Sequence, residues 1–540
     1  MQTSHTQPAH DKTSATPAGA SLYPLLDRAV AAAEAQVQLT AMVLALMPLL
    51  RALGLAILRH VIQHRDLTMD WRMPVLPCPV CKTPLVRTRH LRPVWRYTLL
   101  GRLTYERRNW LCSNTSCQHS AYPTDWGLGL LERLHGHSQE FASMVVLMTT
   151  LMPNAKAMDL FQKCFGFGVS TTLSRGLTMA IGTQMFETEK QTAQYYWDLR
   201  TKDPEKIEPV PAELKKLKRH KRIYVMADDS KLGIQEGKRG RGAPRRLKDE
   251  SNEARVLRQA LTREKAKAVK AAKRGKPGPN APTKVPKTEA ESGFRNVRAL
   301  LIFSEADLAG VSKGRHEILR RRVVAHIGTL EEWYQFVHMA FCEEGVYTAE
   351  EVVAIADGGS GIWEMFSELL PPTRHRKVVQ VLDFYHASSH LWAAARALKG
   401  SESAAQKKAC IRWVKPLLAD LRAGKVANVI QRLGKLKCKG KAAEEIAKVK
   451  GYFETHRKRM RYAWLRENDM LIGSGAMESV HAWVIQARCR LPGMRWSVAG
   501  ANAMLRLRCA WASGRWDERF AAAARGQAPP EIVSARKKAA

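Results

Sequence analysis

VVAIADGG, residues 352–359, is an apolar run long enough for a buried strand, ended by an aspartate and two glycines. Two more runs end in aspartate: IYVMADDS at 223–230 and VVQVLDFYH at 378–386. VRALLIFSE (297–305) and RRVVAHIG (321–328) also have strand character, and helical stretches lie between the later segments. This alternation predicts an α/β domain over 221–515, whose parallel strands present their C-terminal ends to one crevice where ligands sit. With their strands as neighbours, Asp228 and Asp357 would stand close together. Unpaired acids at that distance repel, so the pair requires protonation or bridging cations. Oxygen donors favour Mg2+ or Mn2+. Two such ions about 3.5–4 Å apart can activate water or a 3′-hydroxyl at a phosphodiester. Gly358 and Gly359 would then leave space for a bulky backbone to approach.

A third acid is needed. Glu478 follows a Gly-Ser-Gly turn in GSGAMESVHAWVIQARCRLPGMRW (473–496) and falls in the first turn of an expected helix. The positive end of the helix dipole tolerates a carboxylate there. Arg488, Arg490, Arg495 and Trp496 follow close behind, as suits a helix that touches a phosphate backbone. Glu478 also reads as a plain helix-capping acid. Asp383 and His386 leave three readings open. Together with His390 they could bind a transition metal from one helix face, His386 could hydrogen-bond near the site, or Asp383 could cap a helix.

The 540 residues exceed what one core organises, and 45% of them are apolar, enough for two or more. Net charge is +37, from 87 Lys+Arg against 50 Asp+Glu. A polyanion is the simplest partner for such an excess, because each neutralised phosphate releases counterions. Residues 237–290 hold 17 of the Lys+Arg against 5 acids and read as an extended basic arm, while 400–470 read as a basic helical insert.

Of ten cysteines, four fall in two pairs, Cys78-x2-Cys81 and Cys112-x4-Cys117, separated by 30 β-like residues. Two turns offering two thiolates each can converge on a tetrahedral structural zinc, with His119 as a substitute ligand. This predicts a zinc ribbon over 71–127. The other cysteines are scattered, and residues 1–20 are polar without a secretory pattern, so a reducing, cytoplasmic setting is expected. AMVLALMPLLRALGLAIL (41–58) carries Pro48 and Arg51 and predicts a buried helix rather than a membrane span. It belongs to a helical region at 21–70. Residues 128–220 are expected to be helical, with a possible helix-turn-helix at NAKAMDLFQKCFGFGVSTTLSRGLTMAI capped by Ser170 or Thr171. Residues 516–540 are expected to be a tail.

YVMADDS, IADGGSGIW, DFYH, GSGAMES and GMRWSVAGANAMLRLR together resemble the bacterial insertion-sequence transposases of the DDE class, most closely their Kra group. The resemblance runs from about Cys78 to Trp511. It implies an RNase H-like catalytic domain with Asp228, Asp357 and Glu478 as the magnesium-binding triad. Asp383 and His386 match an Asp-x2-His signature of such enzymes. Asp229 stands beside Asp228 where the family has Gly, and Asp383 is the other candidate for the second acid. The implied activity is cleavage of double-stranded DNA at the ends of a mobile element and strand transfer by direct transesterification. A homo-oligomer acting on DNA in the nucleoid is implied as well. The rival expectations are a nuclease that cuts without joining, a non-catalytic DNA-binding descendant, and an RNA-binding protein.

Overall fold

The computed structural model describes residues 19–36, 39–69, 76–202, 220–235, 292–312 and 315–526. The expected basic arm at 237–290 and nearly all of the expected N-terminal tail lie outside the described residues.

Each of the five strand-like runs forms a strand of one sheet. They are β4 (Arg222–Gln235), β5 (Ser292–Ser304), β8 (Arg322–His326), β9 (Glu351–Ala356) and β10 (Lys377–Leu382), in the order β10-β9-β4-β5-β8. The strands β9 and β10 run parallel to β4, whereas β5 is antiparallel to both β4 and β8. The sheet is therefore mixed rather than all-parallel. An apolar run looks the same in either direction, so its composition cannot report the reversal of β5. Every residue of β8 is buried, as are Val352 to Ala356 of β9. Strands covered on both faces read as continuous apolar runs, which is why they were visible in the sequence.

Strand β4 does not end at Asp228. It continues to Gln235 and pairs with β5 along its whole length, from Ile223 opposite Ser304 to Gln235 opposite Ser292. Two further strands, β6 (Leu308–Ser312) and β7 (Arg315–Ile318), form a separate hairpin.

Ahead of the sheet, α1 (Gly19–Glu34) and α2 (Leu39–Met69) pack together. They lead into a three-stranded sheet of β1 (Leu85–Thr98), β2 (Gly101–Cys112) and β3 (Ser120–Ala121). The expected burial of 41–58 does not hold. Along α2, Ile62 is buried, while Val43, Leu44, Met47, Leu50, Ile57 and Val61 are exposed. Among the described residues α2 packs mainly on α1 and β2, with Arg51 reaching Phe165 O, and these side chains stay on the open face. The segment Ala41–His64 is long and apolar enough to cross a membrane.

The region after α3 (Pro123–Gly127) is helical, as expected: α4 (Gln139–Leu151), α5 (Asn154–Phe165) and α6 (Thr171–Lys202). Gly166 ends α5 in the left-handed region, and the Ser170 hydroxyl accepts from Leu173 N–H to start α6. The first helix, the turn and the start of the second thus fall where the sequence puts them, and the second runs on to Lys202. Past its first turns, however, α6 is a central strut. Phe141, Phe161, Leu177 and Ile181 form one core, and Ala193 and Tyr196 join the core of the sheet.

The remaining helices are α7 (Leu330–Glu343), α8 (Ser360–Leu369), α9 (Phe384–Lys399), α10 (Ala404–Arg422), α11 (Val426–Gly434), α12 (Lys441–Thr455) and α13 (Tyr462–Glu467). The last four are the predicted helical insert. After them come α14 (Gly475–Val480), a π-helical stretch (His481–Gln486), α15 (Ala487–Cys489), α16 (Val498–Ala512) and α17 (Trp516–Arg525). The last helix replaces the tail expected from 516: Trp516 and Phe520 are buried against α4 and α6.

Several arginines are internal. Arg506 reaches Glu189 at 2.8 Å, and Arg322 reaches Glu343 at 3.1 Å. Burial pushes Glu189 up, but the neighbouring Arg506, Arg322 and Arg519 outweigh it and hold the carboxyl down at about 2.

Candidate functional site

The four predicted cysteines meet. The sulfurs of Cys78 and Cys117 are 3.9 Å apart, and those of Cys81 and Cys112 are 3.3 Å apart. All four lie within 4.8 Å of one another. A zinc–sulfur bond of about 2.3 Å in a tetrahedron separates ligand sulfurs by roughly 3.8 Å, so this cluster could bind a metal such as zinc. Two matching turns aim the thiols. In the first, Cys78 N–H donates to Thr83 O, and Lys82, just after Cys81, is left-handed with φ 65. In the second, Gln118, just after Cys117, has φ 49. Thr83 pulls the Cys81 thiol down to about 6, while burial pushes Cys112 up to about 12. His119 takes a backbone role, its carbonyl accepting from Cys112 N–H at 2.9 Å.

The carboxylates are placed by sheet register. Ala227 pairs with Ala356 across the parallel β4–β9 ladder, so Asp228 and Asp357 follow side by side. They line one cleft with Asp229, Arg298, Trp333 and Ile362. Asp228 Oδ1 accepts from Asp229 N–H at 2.7 Å, and Asp357 Oδ1 from Gly359 N–H at 3.1 Å. Asp229 is held above the ordinary carboxylate range. Desolvation is the main cause, and the charges of Asp228 and Asp357 add to it against the opposing pull of Arg298. Asp229 is thus part of this acidic cleft.

Gly358 does not leave room for a ligand. Its φ is +112, and a Cβ there would meet the Tyr452 ring at 2.9 Å and His456 Nε2 at 3.2 Å. The space belongs to α12 of the helical insert, whose Tyr452 hydroxyl donates to Asp357 O at 2.6 Å. Burial, with the charges of Asp357 and Asp383, raises the Tyr452 phenol above its ordinary value and keeps it a donor. Tyr452 stacks on His390 at 4.0 Å and lies edge-on to His456 at 4.8 Å. Burial lowers both imidazoles, with help from His386 and Arg459 respectively.

Asp383 is a cap. Its Oδ1 accepts from Tyr385 N–H at 2.6 Å and His386 N–H at 3.0 Å, and its Oδ2 accepts from Ser474 N–H at 2.9 Å and from the Ser474 hydroxyl. With both oxygens committed, it ties the start of α9 to the turn that carries Glu478.

Glu478 occupies the expected first turn of α14 and is exposed. The side chain from this helix that reaches the aspartates is His481, one turn on, with Nε2 3.0 Å from Asp228 Oδ2. The pair is close but poorly aligned for a hydrogen bond, which leaves it an electrostatic contact. Among the described residues, the metal-type group with ligand atoms all within 4.8 Å is the cysteine quartet; Asp228, Asp357 and Glu478 are not gathered to that spacing. The expected single helix through 490 is instead interrupted by the π-helical stretch that starts at His481. π-Segments recur at functional sites.

Of the expected DNA contacts, Arg488 is internal and Trp496 is half-buried. Arg488 is 4% exposed; its Nε donates to Thr149 O at 2.9 Å, and its guanidinium also donates to Asn154 Oδ1 at 3.1 Å. Trp496 donates to Cys489 O at 3.0 Å, and its backbone pairs with Gly233 and Gln235. Arg490 and Arg495 are exposed, Arg495 lying over Phe294. Asp229, named in the sequence beside Asp228, lines the cleft; the residues missed in the sequence are His481, Arg298 and Tyr452. His481 sits one helical turn after Glu478, a detectable spacing; Tyr452 carries no local signal, because its partner Asp357 is 95 residues away.

A scan against protein-family models returns no match to this chain, and a search of curated proteins finds no significant relative.

Proposed function

We propose that this protein is a DNA transposase of the DDE class, built on an RNase H-like domain. The observation that carries the reading is the register of β4 and β9, which puts Asp228 and Asp357 next to each other at the mouth of one cleft. The strand order β10-β9-β4-β5-β8 with only β5 reversed supports the same fold reading. Fit to a hard cation rests on donor type and on the like-charge crowding that raises Asp229. Asp228 and Asp357, with Glu478 from α14, would hold Mg2+ or Mn2+, which when bound supplies charge to activate an attacking oxygen and stabilise a leaving one.

The chain's own groups position the reaction. His481 lies against the Asp228 carboxylate, and Tyr452 fixes the backbone of Asp357. Arg298 in the cleft and the exposed Arg490 and Arg495 would hold phosphates. In cleavage, a water oxygen bonds to phosphorus, the P–O3′ bond breaks, and the 3′-oxygen takes up a proton. In strand transfer, that 3′-hydroxyl bonds to a target phosphorus, loses its proton, and displaces the target's own 3′-oxygen. No protein nucleophile takes part.

One observation favours a second reading, a DNA-binding protein without catalysis: Glu478 is exposed and the three acids are not drawn together. Incubating the protein with Mg2+ and supercoiled plasmid carrying the DNA that flanks its coding region separates the readings. Nicking followed by joining supports the transposase, nicking alone supports a nuclease, and retention without nicking supports the binding protein. Asp357→Asn should abolish nicking and leave gel-shift binding largely intact; nicking at the wild-type rate would remove Asp357 from the site.

A further inference from the structure

His386 and His390 stand one turn apart on the same face of α9, and their Nε2 atoms are 3.3 Å apart. Their ring centroids are 5.0 Å apart, at 70° to each other. Tyr452 covers one face of His390 at 4.0 Å and lies 6.3 Å from His386, so the α12 side of the pair is packed. A neutral imidazole presents either a lone pair or an N–H at Nε2. Two such nitrogens directed at each other therefore share one proton or one ion.

The spacing matches an ion. Metal–nitrogen bonds of about 2.0–2.1 Å in a tetrahedron put two ligand nitrogens roughly 3.3 Å apart. Helical His pairs four residues apart are a known way of reaching it. Spacing in the sequence alone does not achieve this: His60 and His64 on α2 share it, yet their rings are 6.3 Å apart. Asp383 is excluded as a third ligand by its four capping hydrogen bonds. Asp357 and Glu445 add negative charge around His390, and Lys448 opposes them.

We infer that His386 and His390 form a two-imidazole clamp for a borderline transition-metal ion of the Zn2+, Co2+, Ni2+ or Cu2+ class. The clamp is separate from the cysteine quartet and from the oxygen donors of the cleft. Its remaining coordination positions fall to solvent or to a phosphate oxygen. Imidazole suits these ions and carboxylate suits Mg2+, so the two neighbouring sites would sort different metals by donor type.

The test uses the full chain, free of any affinity tag and with its cysteine site already filled by zinc. Titration with Co2+ should show one further equivalent, with weak visible absorption and none of the intense near-ultraviolet charge transfer that thiolate ligands give. His386→Ala and His390→Ala should each weaken that equivalent by on the order of tenfold or more, while the His60→Ala control retains it. Alanine favours the helix, and an unchanged circular dichroism spectrum and thermal unfolding transition report that each variant is folded. The clamp is overturned if no further equivalent binds, if both variants bind Co2+ like the wild type, or if His60→Ala removes the equivalent instead.

Discussion

The cysteine quartet and the acidic cleft both gather groups distant in sequence, yet only the first is drawn together to metal-binding spacing. The four sulfurs lie within 4.8 Å of one another, whereas Asp228, Asp357 and Glu478 do not. The difference follows from charge. A thiol can stay neutral until metal arrives, and burial pushes the Cys112 thiol up, towards its neutral form. Carboxylates are ionised at neutral pH and repel, so their closest approach awaits a cation. Backbone turns can therefore preassemble a thiol site. An acid site can be preassembled only as far as the sheet fixes it, which here means Asp228 and Asp357 but not Glu478.

The largest expected effect breaks the thiol side of this comparison. Zinc binding supplies about 10–16 kcal/mol in isolated zinc-finger peptides. Cys81→Ser should lower the zinc content from about one per chain to none. It should also expose the amides of residues 76–122 to hydrogen exchange, while the five-stranded sheet stays protected. Undiminished zinc in that variant would mean that the quartet is not the site.

A smaller effect is expected where the helical insert braces the cleft. Gly358→Ala places a Cβ against Tyr452 at a φ of +112, which only glycine adopts readily. The expected cost is about 1–3 kcal/mol. Tyr452→Phe loses one hydrogen bond to Asp357 O and should cost about 0.5–1.5 kcal/mol. Denaturant midpoints measure both, and equal stability of Gly358→Ala and the wild type would show that Tyr452 does not occupy that space.

These contrasts also explain how much could be read in advance. The strands were legible because β8 and β9 are buried on both faces and have apolar middles, Val323 to Ala325 and Val352 to Ala356. The Asp228–Asp357 pairing was legible because both apolar runs stop at the same ladder position. The cysteine turns were legible because their spacing is local. Arg488 and Arg508 were not, because an arginine reads as surface until its acceptors are known. Theirs are backbone carbonyls at Thr149 and Thr150, more than 330 residues earlier in the chain. The net charge of +37 thus overstates the positive surface, since Arg322, Arg376, Arg488, Arg506, Arg508 and Arg519 are all buried. Tyr452 and His481 were missed for the same reason: each acts through a partner that only the tertiary fold supplies.

The smallest expected effect lies within the cleft itself. Asp229 is held above its ordinary value of 3.8 by desolvation and by the charges of Asp228 and Asp357. The folded protein therefore binds this proton more tightly than the unfolded chain does. Below pH 3.8 both states hold the proton and the site carries no penalty. As pH rises through the higher folded value, that stability is lost, and at pH 7 the charged Asp229 opposes folding. Asp229→Asn should therefore stabilise the fold at pH 7 by less than about 1 kcal/mol after solvent screening, read as a higher Tm, and leave Tm unchanged near pH 3. Millimolar Mg2+ should raise the wild-type Tm in the same direction at pH 7, because a bound cation relieves the same repulsion. A variant that is less stable than the wild type at pH 7 would mean that the pull of Arg298 outweighs the like charges, and the acids would then form an ordinary ion-paired cluster.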